Sequence, residues 1–186
     1  MGGETCIAIE VFRQFFPSIA MVLEHIEETA DAESAANARA YRKLTMDVEF
    51  AVVLVIVSRI FSLTKPYSEQ LQDPKMDLAV CYEKIEDLCT YLSEQLYSDD
   101  YRNKLYNNFL LFLDEQNINR ERPRNNQQTL RELFDSVFTT FISSTLNELA
   151  KRFSKQQQTA AKLSFSASNG KGLFHDRIVD SVFGML

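Results

Sequence analysis

The sequence predicts an all-α protein, a helical bundle, on three observations. Glycine and proline are scarce, five and four in 186 residues, while Leu, Glu, Gln and Ala are plentiful; the residues that lose least on coiling dominate, and the two helix breakers are rare. Apolar side chains recur at three- and four-residue spacing over long segments, as amphipathic helices require. The apolar–polar alternation that would mark strands rises above background nowhere, and no internal repeat is apparent. Fourteen phenylalanines supply large apolar surface for a core, and the length suffices for one domain or for one lobe of something larger.

The elements follow in order. Val11, Phe12, Phe15, Ile19, Val22, Leu23 and Ile26 stand at helical spacing, and Pro17 predicts a kink or break among them. Residues 31–40, small and charged, begin a second, long helix whose inner positions are Leu44, Val48, Ala51, Val52, Val55, Ile56 and Leu63. Its all-round apolar stretch, residues 50–58, predicts burial on most sides. This helix is expected to stop before Pro66, because the residue preceding a proline resists the α region. Asp73-Pro74 is the next start signal, an N-cap followed by proline in the first helical position. Leu78, Cys81, Ile85, Leu88, Cys89, Leu92 and Leu96 then mark the cleanest amphipathic stripe. Ser98-Asp99-Asp100 caps a further helix with Leu105, Phe109, Phe112 and Leu113 on its inner face, and residues 117–126, polar and containing Pro123, form a loop. The last strong helix runs from about Gln127 to Phe153, with Leu130, Phe134, Val137, Phe141, Leu146, Leu149 and Phe153 inward. Residues 1–153 thus form a helical domain, and 154–186 a polar, weakly ordered tail in which residues 174–186 could close a short helix.

A net charge of −6 and a pI near 5.0 argue against a free-standing DNA-binding module, which concentrates cations to neutralise phosphates. The one basic cluster, residues 119–124, is interrupted by Glu121 and reads first as a solvated loop, second as a nucleic-acid contact through Arg120, Arg122 and Arg124. Cys6, Cys81 and Cys89 are too few for a disulfide framework and fit reduced thiols inside a cell. Early charges at Glu4, Glu10 and Arg13 fit no signal peptide, and residues 50–58 are too short to span a bilayer. His25 and His175 stand alone, no Cys-x-x-Cys pair exists, and Cys81 and Cys89, eight apart on an inner stripe, are expected in the core. Gly2-Gly3 and Gly170-Lys171-Gly172 lack the length of a phosphate-binding loop. The carboxylates at Glu27-Glu28, Asp31, Asp73, Asp77 and Asp99-Asp100 fall where capping and solvation explain them. A two-metal nuclease site needs acids converging from separate elements, normally on a rigid sheet, and no sheet is expected. The residues therefore predict no catalytic or metal site, no cofactor and no small-molecule substrate: not an enzyme.

Several stretches together resemble hAT-type transposase-like proteins, particularly the group of zinc-finger MYM-type proteins and the repressor of the inhibitor of the protein kinase. They are Glu4-Thr5-Cys6-Ile7 with residues 11–19, Glu49-Phe50-Ala51-Val52-Val53-Leu54, residues 63–72, Asp73-Pro74-Lys75-Met76-Asp77-Leu78, Arg122-Pro123-Arg124, and residues 141–153 ending in Arg152-Phe153. The order is consistent over residues 4–155, and the pairing of Leu71-Gln72 with Asp77-Leu78 before an amphipathic helix is the most characteristic piece. The resemblance implies the helical insertion of a ribonuclease-H-like domain without its sheet. In that family two catalytic aspartates precede the insertion and a glutamate follows it; none is assignable here. Cys6-Ile7 stands where the family has an Arg-Trp pair, which suggests a truncated or decayed transposon-derived product. The implied role is a non-catalytic helical fragment, acting through protein partners or self-association and located in the nucleus. The alternatives are an unrelated helical adaptor or scaffold, and a helical component of a DNA transposase assembly.

Overall fold

The computed structural model describes residues 2–71, 78–120 and 128–153. Seven α-helices account for nearly all of them: α1 (Gly2–Gln14), α2 (Phe16–Thr29), α3 (Ala32–Thr45), α4 (Val48–Leu71), α5 (Leu78–Tyr97), α6 (Asp99–Glu115) and α7 (Leu130–Arg152). The described residues contain no strand. The fold class is all-α, of the helical-bundle type.

The chain divides into two compact units. The first comprises Met1–Ala8, Arg59–Ser98 and Thr139–Leu186, and the second Ile9–Ser58 and Asp99–Phe138. In the second unit, Phe16, Val52, Ile56, Phe109, Leu113, Phe134 and Phe138 are wholly buried or nearly so. In the first, Ile60, Phe61, Leu92 and Ile142 are buried just as completely, with Ile85, Leu88 and Leu149 close behind.

The expected break at Pro17 is present two residues earlier. Phe15, with φ −92° and ψ 6°, separates α1 from α2, and Pro17 occupies the first turn of α2, where its missing N–H would have had no helical partner. Hydrogen bonds from Phe15 N to the Val11 carbonyl and from Ile19 N to the Phe15 carbonyl, both 2.9 Å, carry the helical phase across the junction. The buried residue there is Phe16, not Phe15, which is 52% exposed together with Val11 and Val22. The inward stripe runs Phe12, Phe16, Ile19, Leu23 and Ile26, and Phe12 meets Phe16 edge to face at 6.1 Å.

Three further expectations are corrected. The long helix from residue 31 is two helices: Met46 ends α3 with its N–H on the Arg42 carbonyl at 2.9 Å, the Asp47 N–H donates to the Leu44 carbonyl at 3.2 Å, and Asp47 opens α4 by accepting the Glu49 N–H at 2.7 Å. This acidic cap breaks the run, and it leaves Leu44 63% exposed instead of buried. α4 does not stop before Pro66 but runs through it to Leu71. Pro66 and the residue four before it, Ser62, are both exposed, so the lost donor and the crowded carbonyl fall on the water side of the helix. On α7 the buried positions are Leu133, Phe134, Phe138, Ile142 and Leu149, whereas Leu130, Val137, Phe141 and Leu146 are only partly covered. The near-absence of one continuous apolar face on α7 follows from its passage through both units, residues 130–138 in one and 139–152 in the other. Elsewhere the expected residues are buried, as at Val52, Val55 and Ile56 on α4, at Cys81, Ile85, Leu88 and Leu92 on α5, and at Leu105, Phe109, Phe112 and Leu113 on α6. The Asp73-Pro74 start signal, residues 121–126 of the loop, and the tail with its terminal segment lie outside the described residues.

Candidate interaction surfaces

Among the carboxylates singled out in the sequence, Glu27, Asp31, Asp99 and Asp100 have local partners, the last two in Arg102 at 3.9 Å and Lys104 at 2.7 Å. Asp31 caps α3, accepting the Glu33 and Ser34 N–H groups at 3.1 and 3.0 Å and the Ser34 hydroxyl at 2.8 Å. The Ser34 N–H bond, then its hydroxyl, holds the Asp31 carboxyl below its ordinary pKa. Glu27 lies between two guanidiniums, accepting from Arg39 Nε at 2.7 Å and Arg42 Nε at 2.9 Å. The Arg39 hydrogen bond is the largest of the effects that lower its pKa. These pairs tie α2 to α3, which pack against each other. Among the described residues no group of three or more His, Cys, Asp or Glu side chains could hold a metal ion, and no helix is long and apolar enough to cross a membrane.

One element of local chemistry was legible and missed. Thr129 and Glu132 form a reciprocal capping box at the start of α7: Thr129 N–H donates to Glu132 Oε2 at 2.7 Å, and Glu132 N–H donates to Thr129 Oγ1 at 3.2 Å. The Thr-x-x-Glu spacing ahead of an apolar run is its signature, and it places the helix start at Leu130 instead of Gln127. The Thr129 N–H, then its hydroxyl, lowers the Glu132 pKa.

Of the basic cluster, Arg120 is described, and Arg122 and Arg124 lie outside the described residues. Arg120 Nη2 donates to both carboxylate oxygens of Asp114 and, at 3.5 Å, to the Leu110 carbonyl. Its guanidinium thus fastens the chain after α6 to the end of that helix, just beyond Asn117, which turns the chain at φ 54°.

The cysteines separate. Cys81 is buried, as expected, whereas Cys89 is only partly covered. Burial, with the Glu86 charge second, pushes the Cys89 thiol above its ordinary pKa, the opposite of what a nucleophile needs. Cys89 lines an open groove of about 720 Å³ in the first unit, with Thr90, Ser93, Glu94 and Tyr97 of α5 and Leu146, Asn147 and Ala150 of α7.

The second unit carries the larger apolar exposure. Val11, Phe15 and Val22 stand at i, i+4 and i+11, a spacing that returns to one helical face, and all three are exposed, with Met21 beside them at 69%. Tyr41 and Leu44 are exposed one turn apart on α3, as are Phe50 and Val53 on α4. These positions repeat in helical register, unlike the singly scattered apolar residues that any surface shows.

No protein-family model matches this chain, and no curated protein or solved structure is found to be similar to it.

Proposed function

We propose that this chain is a non-catalytic helical interaction module that acts through protein contacts, with the exposed apolar stripe of α1 and α2 as its contact face. The observation that carries the reading is the stripe Val11, Phe15 and Val22: three large apolar side chains in helical phase and exposed to water. Contiguous exposed apolar surface on a folded protein marks interaction sites more often than chance. The resemblance to the helical insertion of hAT-type transposase-like proteins supports a transposon-derived origin and, with it, a nuclear location. A role within a DNA transposase assembly draws no support from Arg120, whose guanidinium is occupied by Asp114.

A photo-crosslinking amino acid at position 22 tests the contact face in cells. The expected outcome is a discrete protein adduct that is abolished by Phe15→Glu and absent when the crosslinker replaces the exposed Glu28 on the same helix. No adduct from position 22, or equal adducts from position 28, overturns the reading. Ancestry is tested separately: flanking genomic sequence encoding zinc fingers or the two catalytic aspartates supports it.

A further inference from the structure

We propose that the exposed stripe of α1 and α2 binds a second copy of this chain, as an antiparallel helix pair about a two-fold axis. This rests on the contact face assigned above and names its occupant. With Ser18, which is exposed as well, the stripe reads Val11, Phe15, Ser18 and Val22, at i, i+4, i+7 and i+11. Steps of four, three and four residues are those of a coiled-coil seam, which keeps facing one partner helix. The helical phase continues across Phe15 through its bonds to Val11 and Ile19. None of the exposed residues from Gln14 to Val22 is charged, so the seam offers no ion pair to a phosphate, a basic segment or an acidic one.

An interface about a two-fold axis must match itself, and this seam does. Turned antiparallel about the midpoint between Phe15 and Ser18, Val11 meets the second copy's Val22, and Phe15 meets the second copy's Ser18. The large ring falls against the smallest side chain of the seam, the alternation that lets facing layers interdigitate. A parallel pair would instead set Phe15 on Phe15 and Ser18 on Ser18. It would also bring together the exposed Glu24 and Glu28 of both copies, whereas the antiparallel pair holds these acids at opposite ends. Area agrees. Val11, Phe15, Met21 and Val22, 44–69% exposed, leave roughly 400 Å² of apolar surface in water, from side chains of about 150–250 Å². One side of a standard interface buries about 800 Å², of which about 57% is apolar, so these four residues supply nearly the whole apolar share. Each copy carries a net charge of −6 and its seam none, so salt screens the repulsion between copies without weakening their contact.

Sedimentation equilibrium of the purified full chain is expected to show a monomer–dimer equilibrium with a dissociation constant on the order of micromolar, tightening as sodium chloride rises. Phe15→Glu is expected to weaken it about a hundredfold or more, because each dimer loses two anchoring rings. Phe15→Ser together with Ser18→Phe puts ring against serine again, and is expected to recover most of the affinity that Phe15→Ser alone loses. A photo-crosslinker at position 22 is expected to give an adduct of twice the chain mass, mapped to the segment around Val11. A chain that stays monomeric at about 1 mM, far above the expected constant, overturns the proposal; if position 22 still captures another protein in cells, the contact face stands and only the second copy falls. A dimer indifferent to Phe15→Glu, an exchange no better than Phe15→Ser, or an adduct mapped to position 22 of the second copy also overturns it. Should Phe15→Glu lose its helical circular dichroism, Val22→Glu, within α2 on the same seam, takes its place with the same two outcomes.

Discussion

The second unit fills its interior with rings, while the first relies mainly on aliphatic side chains and a thiol. Two aromatic series run through the second unit. One links Phe50 to Phe12, Phe12 to Phe16 and Phe16 to Phe112 at centroid separations of 5.8, 6.1 and 5.2 Å. The other joins Tyr106, Phe109, Phe134 and Phe138, with Tyr101 beside Phe138. Arginines lie over their outer members, Arg13 on Phe112 at 5.6 Å and Arg131 on Tyr106 at 4.7 Å. Burial lowers the Arg13 pKa, and the Glu115 charge partly opposes this. The first unit instead packs Cys81 and Ile85 with Cys89 and Phe153, near Leu88 and Leu92, and Tyr82 meets Phe153 at 5.9 Å. Rings have preferred contact geometries and aliphatic chains have few, so the second unit should be the more exacting about substitution. It is also the unit that leaves Phe15, Met21, Val22 and Leu44 in water.

The largest expected effects test that contrast directly. Phe134 is wholly buried and touches rings at 5.2, 5.7 and 6.1 Å, so Phe134→Ala is expected to cost about 3–5 kcal/mol. Leu92, equally buried in the first unit, is expected to cost about 2–5 kcal/mol as Leu92→Ala. Its loss should fall below that of Phe134→Ala, since fewer atoms and no ring contact are removed. Urea denaturation gives the two values. Hydrogen exchange should show Phe134→Ala loosening α6 and the start of α7, and Leu92→Ala loosening α5. A larger loss at Leu92 would break the comparison.

A smaller effect comes from the capping box. Thr129→Ala removes the hydroxyl that accepts the Glu132 N–H and donates to its carboxylate at 2.9 Å. About 1 kcal/mol is expected, with faster exchange confined to the first turn of α7. Unchanged exchange there would mean that packing of Leu133 and Phe134, not the cap, fixes the helix start.

The all-α class was legible because composition and period both declare it, and the inner face of α6 was legible because one helix lies in one unit and needs one stripe. The errors have physical causes. At Phe15 and Phe16 two adjacent rings compete for one inward position, and a helix junction decides between them. At Met46 and Asp47 a single cap outweighs a run of good helix formers on both sides. On α7 a helix serving two interiors cannot show one clean period, so the spacing of Val137, Phe141 and Leu146 pointed to a face that is only half covered. The candidate surfaces were still less legible: exposure of Val11, Phe15 and Val22 depends on which way α1 and α2 turn, and the groove at Cys89 exists only once α7 lies beside α5.

The finest expected difference between the units is electrostatic and opposite in sign at the two ends of the pH scale. The lowered carboxyls described above, Glu27, Asp31 and Glu132, belong to the second unit. A carboxyl held below its ordinary pKa in the folded state contributes stability that is complete above that range and is lost as pH falls through the lowered value. The first unit holds the reverse case. Burial, chiefly, raises the Tyr82 hydroxyl and the Cys89 thiol, with the Cys81 charge adding to the first and the Glu86 charge to the second. Their contribution is complete below their ordinary values and is lost as pH rises through the raised ones. Helix-resolved exchange should therefore show α2 and α3 loosening first below about pH 4, and α5 first above about pH 9. Glu27→Gln should flatten the acid response of α2 and α3 and leave the alkaline response of α5 untouched. If α5 loosens first in acid, the caps and the Glu27 ion pairs are not what distinguishes the units, and their differing interiors alone must account for it.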